Sequence, residues 1–224
     1  MNGYDANAVE EALRLREKHG GRVTVVSLGD DSSRESLKRA VAMGADAAVL
    51  LNDPCWLHAD SAGVARALVA AIRRIGKFDL ILCGRQASDT DGGQVLHWIA
   101  EALDLPSVSP VAKIEQAEGS VLTVHRLIED GYQRLRVELP ALLGISSEIN
   151  EPRYPPPRGV MKAERILISG WKASDLSLDE YPVKVELRQL QIQLHTSKAQ
   201  LIEGSSAVEQ GAALADKLHE LGFV

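Results

Sequence analysis

The residues able to hold a ligand are concentrated in one stretch, LILCGRQASDTDGGQVLHW, residues 80–98. An apolar run ends at Gly84. Arg85, Gln86, Asp89 and Asp91 follow, then Gly92 and Gly93, and an apolar helical pattern opens at Gln94 and Val95. Glycines let a backbone approach a ligand closely, and loop amides backed by a helix N-terminus bind anionic oxygen. The chemistry on offer is the cradling of a phosphate-bearing molecule. The loop has neither a Walker lysine nor a G-x-G-x-x-G spacing. Asp89 and Asp91 would repel phosphate unless they hold ribose hydroxyls, amides or a cation. A polar strand-to-helix turn with no ligand at all has the same texture.

Nothing else in the chain supplies a nucleophile, a base or a metal site. No G-x-S-x-G, H-E-x-x-H or Cys/His constellation occurs. His97, Trp98, His125 and His195 have no visible partners and read as packing residues, and Arg73-Arg74 as a solvated helix face. Cys55 and Cys83 sit in no C-x-x-C or zinc spacing and read as reduced thiols. A net charge of -6 argues against a general nucleic-acid binder, and 4% aromatic residues against base-stacking platforms. No apolar run approaches the length of a membrane span, and the first residues lack the basic and apolar regions of a secretory signal. A cytoplasmic protein is expected, of one domain with an extension.

The elements that must position the loop alternate from the start. ANAVEEALRLREKHGG predicts a helix with Val9, Ala12 and Leu13 on one face and Asp5 able to cap it. RVTVVSLG reads as a buried strand. SSRESLKRAVAMGA opens with a capping box, Ser32-x-x-Glu35. DAAVLLN is a strand, DSAGVARALVAAIRRIG a helix, FDLILCG a strand, and GQVLHWIAEALDL a helix stopped before Pro106. Regular alternation with short connections implies a doubly wound, mainly parallel α/β sheet of Rossmann-like type, with ligands beyond the carboxyl ends of its strands. After Pro106, SPVAKIEQ, SVLTVHRLIE and YQRLRVELP predict an antiparallel ribbon, and ALLGIS a further short buried strand. The prolines of EINEPRYPPPRGVMKAER predict an irregular, polyproline-like segment rather than a helix. Residues 1–164 are expected to form the α/β domain and 165–224 an arm with one helix, opened by a second capping box, Ser206-x-x-Glu209. VKVELRQLQIQLHT alternates too little to be placed.

GRQASDTDGGQV, followed by LPALLGISSEINEPRYPPPRGVMKAER and preceded in order by NGYDANAVEEALRLRE and ESLKRAVAMGADAAVLL, resembles the β subunit of electron transfer flavoprotein, nitrogen-fixation-type and bifurcating relatives included. The similarity covers residues 1–165 and, more weakly, the tail helix. It implies an electron carrier rather than an enzyme. The carrier pairs with an α subunit that holds a redox FAD, and works between dehydrogenases and a quinone oxidoreductase or ferredoxin-type acceptor. It implies an adenine nucleotide, AMP or a second FAD, cradled by Gly84, Arg85, Gln86, Ala87, Ser88, Asp89, Asp91, Gly92, Gly93, Gln94 and Val95. Asn2, Gly3, Tyr4, Asp5, Val25 and Leu28 would line the same pocket, with Tyr4 facing the α-subunit flavin. Val95 stands where AMP-only members have threonine, which favours FAD, with AMP as the alternative. A competing class is an adenine-nucleotide sensor or ATP-using protein of the related hydrolase-like fold, whose G-x-x-G-x9-G and S-G-G-x-D-S loops are missing here. A third is a scaffold with an empty loop.

The sequence departs from that family in several places. The family has a central strand and a V-K-Q-V-P-like loop ahead of N-P-Y-D, whereas this sequence opens at MNGYD, as a truncated chain or a misassigned start would. The edges of that strand's neighbours are therefore expected to be exposed. Gly3 replaces the usual proline, and the family's regulatory glutamate falls near Leu127, with Glu129 two residues on. By resemblance the N-E-P-R-Y segment is where partner dehydrogenases dock, through Arg153, Tyr154, Pro157, Val160, Met161 and Lys162. Pro157 replaces the apolar anchor, leaving Val160 and Met161 as its substitutes, with Arg153, Arg158 and Lys162 steering acidic partners. The arm is expected to wrap the α subunit.

Overall fold

The computed structural model describes residues 1–179, 183–185, 188–189, 191 and 199–223. The chain divides into two units, Met1–Glu186 and Leu187–Val224. The first contains α1 (Gly3–His19), β1 (Thr24–Leu28), α2 (Ser33–Met43), β2 (Ala47–Leu51), α3 (Ser61–Ile75), β3 (Leu80–Gly84) and α4 (Val95–Leu103). It continues with β4 (Ser107–Glu118), β5 (Val121–Ile128), β6 (Gly131–Glu138), β7 (Ala141–Ile145), α5 (Pro157–Arg165) and β8 (Ser169–Trp171). The second contains α6 (Ala207–Glu220).

Among the described residues the strands form two sheets, β1-β2-β8 and β3-β7-β4-β5-β6. All pairs among β1, β2 and β8 and among β3, β7 and β4 are parallel, while β4, β5 and β6 form the expected antiparallel ribbon. β7 is buried along its whole length, which a strand with parallel neighbours on both sides and covered faces must be. Its chain position gives no hint that it lies between β3 and β4. β1 and β3 are edge strands, each partly buried along its whole length. α3 spans both sheets on one side. Its Ala67 and Ala71 pack against Val49 and Leu51 of β2, its Ala65 and Val69 pack with Leu142 of β7 and Leu96 of α4, and Leu68 borders both clusters.

Several local features differ from expectation. Ser32 is the N-cap of α2, but its hydroxyl bonds the carboxylate of Asp30 instead of capping, so the first capping box does not form. The hydroxyl is turned toward Asp30 as a donor, and the Glu35 amide that it would cap donates to the Ser32 carbonyl at 3.2 Å instead. The second does form in part: Ser206 accepts from the Glu209 amide at 3.3 Å, while Glu209 reaches back to the amide of Ser205. Asn2, not Asp5, is the N-cap of α1. Leu13 of α1 is fully buried as expected, but Val9 and Ala12 are only partly buried, and Asn7, Glu10 and Glu11 are buried beside Ala6 and Ala8.

The proline segment is helical where an irregular run was expected. Pro155 and Pro156 precede α5, and Pro157 is its first residue, the position where a missing N–H and a fixed φ cost nothing. Gly159 sits against α2, where a Cβ would collide with the carbonyl oxygen of Ala42. Residues 169–171 add β8 to the edge of β2 within the first unit. Most of VKVELRQLQIQLHT, His195 included, lies outside the described residues.

Candidate functional site

β3 delivers the loop at its carboxyl end. The Arg85 amide donates to the Ile145 carbonyl at 3.0 Å, so the loop starts pinned to β7. Asp91 accepts from the Gln86 side-chain amide at 2.8 Å, and its own N–H donates to the Ala87 carbonyl at 2.9 Å. Asp91 and Gly93 have φ of 49° and 57°, left-handed values that a glycine adopts without strain and that aspartate tolerates better than most. Ala87, Ser88, Asp89 and Gly92 face solvent, and nothing lies within 4 Å of a Cβ built on Gly92. Gln94 is the N-cap of α4 and makes no capping bond with its side chain. The first amides of α4, from Val95 on, therefore point out of the helix toward the loop without a side-chain cap.

α1 packs its first turn against this loop. The Asp5 carboxylate accepts from the Gly84 amide at 2.8 Å and from the Asn2 side chain at 3.1 Å. Asn2 also donates to the Gln86 carbonyl at 2.9 Å. Arg85 lies over the Tyr4 ring, 5.4 Å from its centroid. Asn2 to Asp5 are thus brought to the loop. Asp5 and Asp91 are both engaged by amide donors, which blunts their repulsion toward an anion. The side-chain oxygen of Asn2 is buried with no partner, an acceptor in search of a donor. Arg85 offers a cation, the start of α4 offers amides, and Asn2 offers an acceptor. That donor set suits a phosphate with a hydroxyl or amino group beside it.

Val25 and Leu28 fare differently. Val25 borders the cluster of Leu37, Val41 and Leu50, and Leu28 the cluster of Val49, Leu51 and Ala67, so their side chains leave β1 on opposite faces. His97 and Trp98 are exposed. His125 stacks on Tyr132 at 4.3 Å, with Glu115 at 3.1 Å from its Nε2, a packed surface group as expected. Leu127 pairs with Tyr132 across the ribbon and Glu129 sits in its exposed turn. Burial pushes the Cys83 thiol up to about 12, so it is inert. Among the described residues no His/Cys/Asp/Glu group could hold a metal, and no helix is long and apolar enough to cross a membrane.

Sequence reasoning missed Ser146 and Glu148. Ser146 is fully buried at the end of β7 and its hydroxyl donates to Glu148. That bond, with a smaller contribution from the charge of Arg85, holds the Glu148 carboxyl below its ordinary value. The signal available was a buried parallel strand ending in Ser146-x-Glu148, but nothing local placed it beside β3.

The docking residues divide. Tyr154, Val160 and Met161 are 92%, 46% and 59% exposed. Arg158, Met161, Lys162, Arg165 and Ile166 line an open groove of about 450 Å³. Arg153 is not free to steer a partner. Its Nε lies 2.7 Å from Glu10, and its two terminal nitrogens reach Glu10 and Glu17. Glu10 also pairs with Arg14 at 2.7 Å. Burial pushes the Glu10 carboxyl up, but the bonds from Arg153 and Arg14 outweigh it and the net value is below the ordinary 4.5.

A folded-state value below the unfolded one contributes stability that is present above the unfolded value and lost as pH falls through the folded one. The denaturation midpoint is therefore expected to hold from pH 7 to about pH 5 and to fall below that. Glu10→Gln is expected to make the acid limb shallower, and an unaltered limb would show that Glu10 is not a source of it.

A model of the electron transfer flavoprotein domain matches residues 1–176. The chain is 45% identical over 181 residues to electron transfer flavoprotein subunit beta of Thermoanaerobacterium thermosaccharolyticum, covering 80% of this chain and 69% of that one. It is 34% identical over 230 residues to the same subunit of Clostridium acetobutylicum, covering 100% and 87%. It is 36% identical over 226 residues to the caffeyl-CoA reductase-Etf complex subunit CarD of Acetobacterium woodii, covering 98% and 86%.

Proposed function

This chain belongs to the electron transfer flavoprotein family, and from that premise we propose that it is the β subunit of a heterodimeric electron carrier that holds an adenine nucleotide at the loop between β3 and α4. The observation that carries the site is the pinning of that loop by α1: Asp5 on Gly84, Asn2 on Gln86, and the unpartnered Asn2 oxygen beside them. Arg85 and the first amides of α4 would hold phosphate, Asn2 would accept from a sugar or base, and Tyr4 would cover the loop's edge. A flavin bound by the pair supplies the redox chemistry. The residues of this chain hold and orient, and none acts as an acid, base or nucleophile.

The α subunit is the partner that the exposed apolar residues of α6 would meet. Val208 and Leu214 are 82% and 46% exposed, Leu221 just after the helix is 58% exposed, and no residue of that helix is buried. Exposed large apolar side chains on a helix with no buried residue suit an interaction surface. Electrons would then pass between dehydrogenases and a quinone oxidoreductase or ferredoxin-type acceptor.

The nucleotide is tested by denaturing the purified complex with its α subunit and chromatographing what is released. Val95 favours a second FAD, giving two flavins per pair. One flavin and one AMP per pair would reject FAD at this site, and no nucleotide beyond the α-subunit flavin would reject the site itself. Asp91→Ala removes the acceptor that ties Gln86 across the loop, and Gln94→Ala removes the residue at the mouth of α4. Each is expected to weaken retention about fivefold or more, the worth of one hydrogen bond in an ordered loop. Unchanged occupancy would take that residue out of the site.

The exposed face of α5 is read as a docking surface for the electron-donating dehydrogenase. Val160→Asp with Met161→Asp is expected to slow transfer about tenfold while flavin content and assembly stay intact. Unchanged kinetics at low salt would leave α5 a structural link only, and loss of assembly would place it in the subunit interface.

A further inference from the structure

α1 clamps the loop through Asn2 and Asp5, yet little apolar surface holds that end of the helix down. Its buried apolar side chains are Ala6, Ala8 and Leu13. Leu13, the one large group among them, lies about two turns past Ala6. It packs on Gly44, its Cδ2 3.4 Å from where a Cβ on that glycine would stand. The two alanines near the loop remove too little area from water to fix a helix in place.

The rest of the buried face of α1 is polar, and residues 150–153 supply its partners. The Asn7 side-chain amide donates to the Asn150 carbonyl at 2.6 Å, and the Asn150 side-chain amide donates to the Asn7 carbonyl at 3.1 Å. Asn150 also donates to Glu11 at 3.0 Å. The Arg153 backbone N–H and its Nε both donate to one Glu10 oxygen, at 3.1 Å and 2.7 Å, and its terminal nitrogens reach Glu10 and Glu17. The Glu10 side chain is only 3% exposed, so a partner lost here is not replaced by water without cost. A forked guanidinium on a carboxylate fixes direction as well as distance.

These contacts close a circuit. The loop starts at Arg85, whose amide is held by the Ile145 carbonyl at the end of β7. A few residues on, the same chain segment grips α1 at Asn150 and Arg153. The first turn of α1 then returns to the loop at Gly84 and Gln86. The bonds of Asn150 and Arg153 run to α1 and not to the loop, so whatever they do for the loop passes through the helix.

We infer that Asn150 and Arg153 are positioning residues for the nucleotide: by filling the polar face of α1 they hold its first turn against the loop, and the nucleotide leaves faster when they are cut back. The inference rests on the nucleotide reading of the loop. A guanidinium is required at 153, because lysine has one nitrogen and cannot bridge two carboxylates with a planar fork.

The test uses the complex with its α subunit, dialysed against nucleotide-free buffer, with the AMP or FAD lost per pair chromatographed over time. Asn150→Ala is expected to speed that loss about fivefold or more, and Arg153→Lys, the milder variant that keeps the charge, about threefold. Hydrogen exchange at the amides of Ala6, Asn7 and Ala8 is expected to quicken in both. Leu37→Ala is the control. It cuts a cavity in the cluster of Val41, Ala42 and Leu50, which contains no residue of α1. It is expected to lower the urea midpoint at least as far while leaving nucleotide loss and α1 exchange within about twofold of wild type.

Wild-type loss in both Asn150→Ala and Arg153→Lys would overturn the positioning role while the site stands. So would an equal acceleration by Leu37→Ala, since retention would then follow overall stability and not the grip on α1. A wild-type complex that carries no nucleotide beyond the α-subunit flavin would remove the site, and this inference with it.

Discussion

Gly159→Ala is expected to destabilise the protein by about 3 kcal/mol, the upper part of the range for forcing a methyl into a packed contact. A Cβ at this position would fall inside the van der Waals sphere of the Ala42 carbonyl oxygen and 3.0 Å from its carbon. The obstacle is backbone, so no rotamer change relieves it. α2 and α5 would have to move apart, loosening Ala163 from the cluster of Leu37, Val41, Ala42 and Ala45. The intrinsic helix preference of alanine over glycine runs the other way, at about 1 kcal/mol, so the sign of the result decides which effect wins. Urea denaturation of wild type and variant measures it. A midpoint equal to or above wild type, at unchanged slope, would mean that the helices do not approach as closely as described.

Gly84→Ala is expected to release the bound nucleotide, with retention falling about tenfold or more. A Cβ there would lie 2.6 Å from the Asp5 carboxylate, 2.9 Å from the Asp5 amide nitrogen and 2.9 Å from Cβ of Tyr4. The first turn of α1 would be pushed off the loop. The Asp5–Gly84 bond would break, with the Asn2 bond to Gln86 beside it. Asp5→Asn keeps one oxygen for the Gly84 N–H but turns a donor toward the Asn2 side chain that the other carboxylate oxygen accepts from, so retention is expected to fall, by less than for Gly84→Ala. Equilibrium dialysis of the αβ complex with labelled nucleotide reads both variants. Wild-type retention by Gly84→Ala would show that the contact of α1 with β3 does not shape the site. A loss by Asp5→Asn as large as that by Gly84→Ala would make the carboxylate a direct ligand instead of a latch.

Much of this was legible in the chain. The alternation from β1 to α4, the antiparallel ribbon, and the glycine-bounded loop at the end of β3 are written in apolar period, capping residues and turn glycines. Each of those signals is complete within about ten residues, and their order within one α/β chain was enough to mark the family. Pro157 shows where local reading fails with correct rules: proline bars a helix interior but suits the first position, and only the packing of α5 on α2 determines which applies. The place of β7 between β3 and β4, and of the short β8 beside β2, depends on hydrogen-bonding edges contributed by distant strands.

α1 is the clearest case. Its buried side carries Asn7, Glu10 and Glu11, a pattern that reads as solvent-facing until Asn150 and Arg153 meet it from more than 130 residues away. Apolar periodicity reports which side of a helix is cheap to bury on its own. A polar face becomes buriable only when its partners arrive with matching donors and acceptors, and their arrival is a property of the tertiary fold.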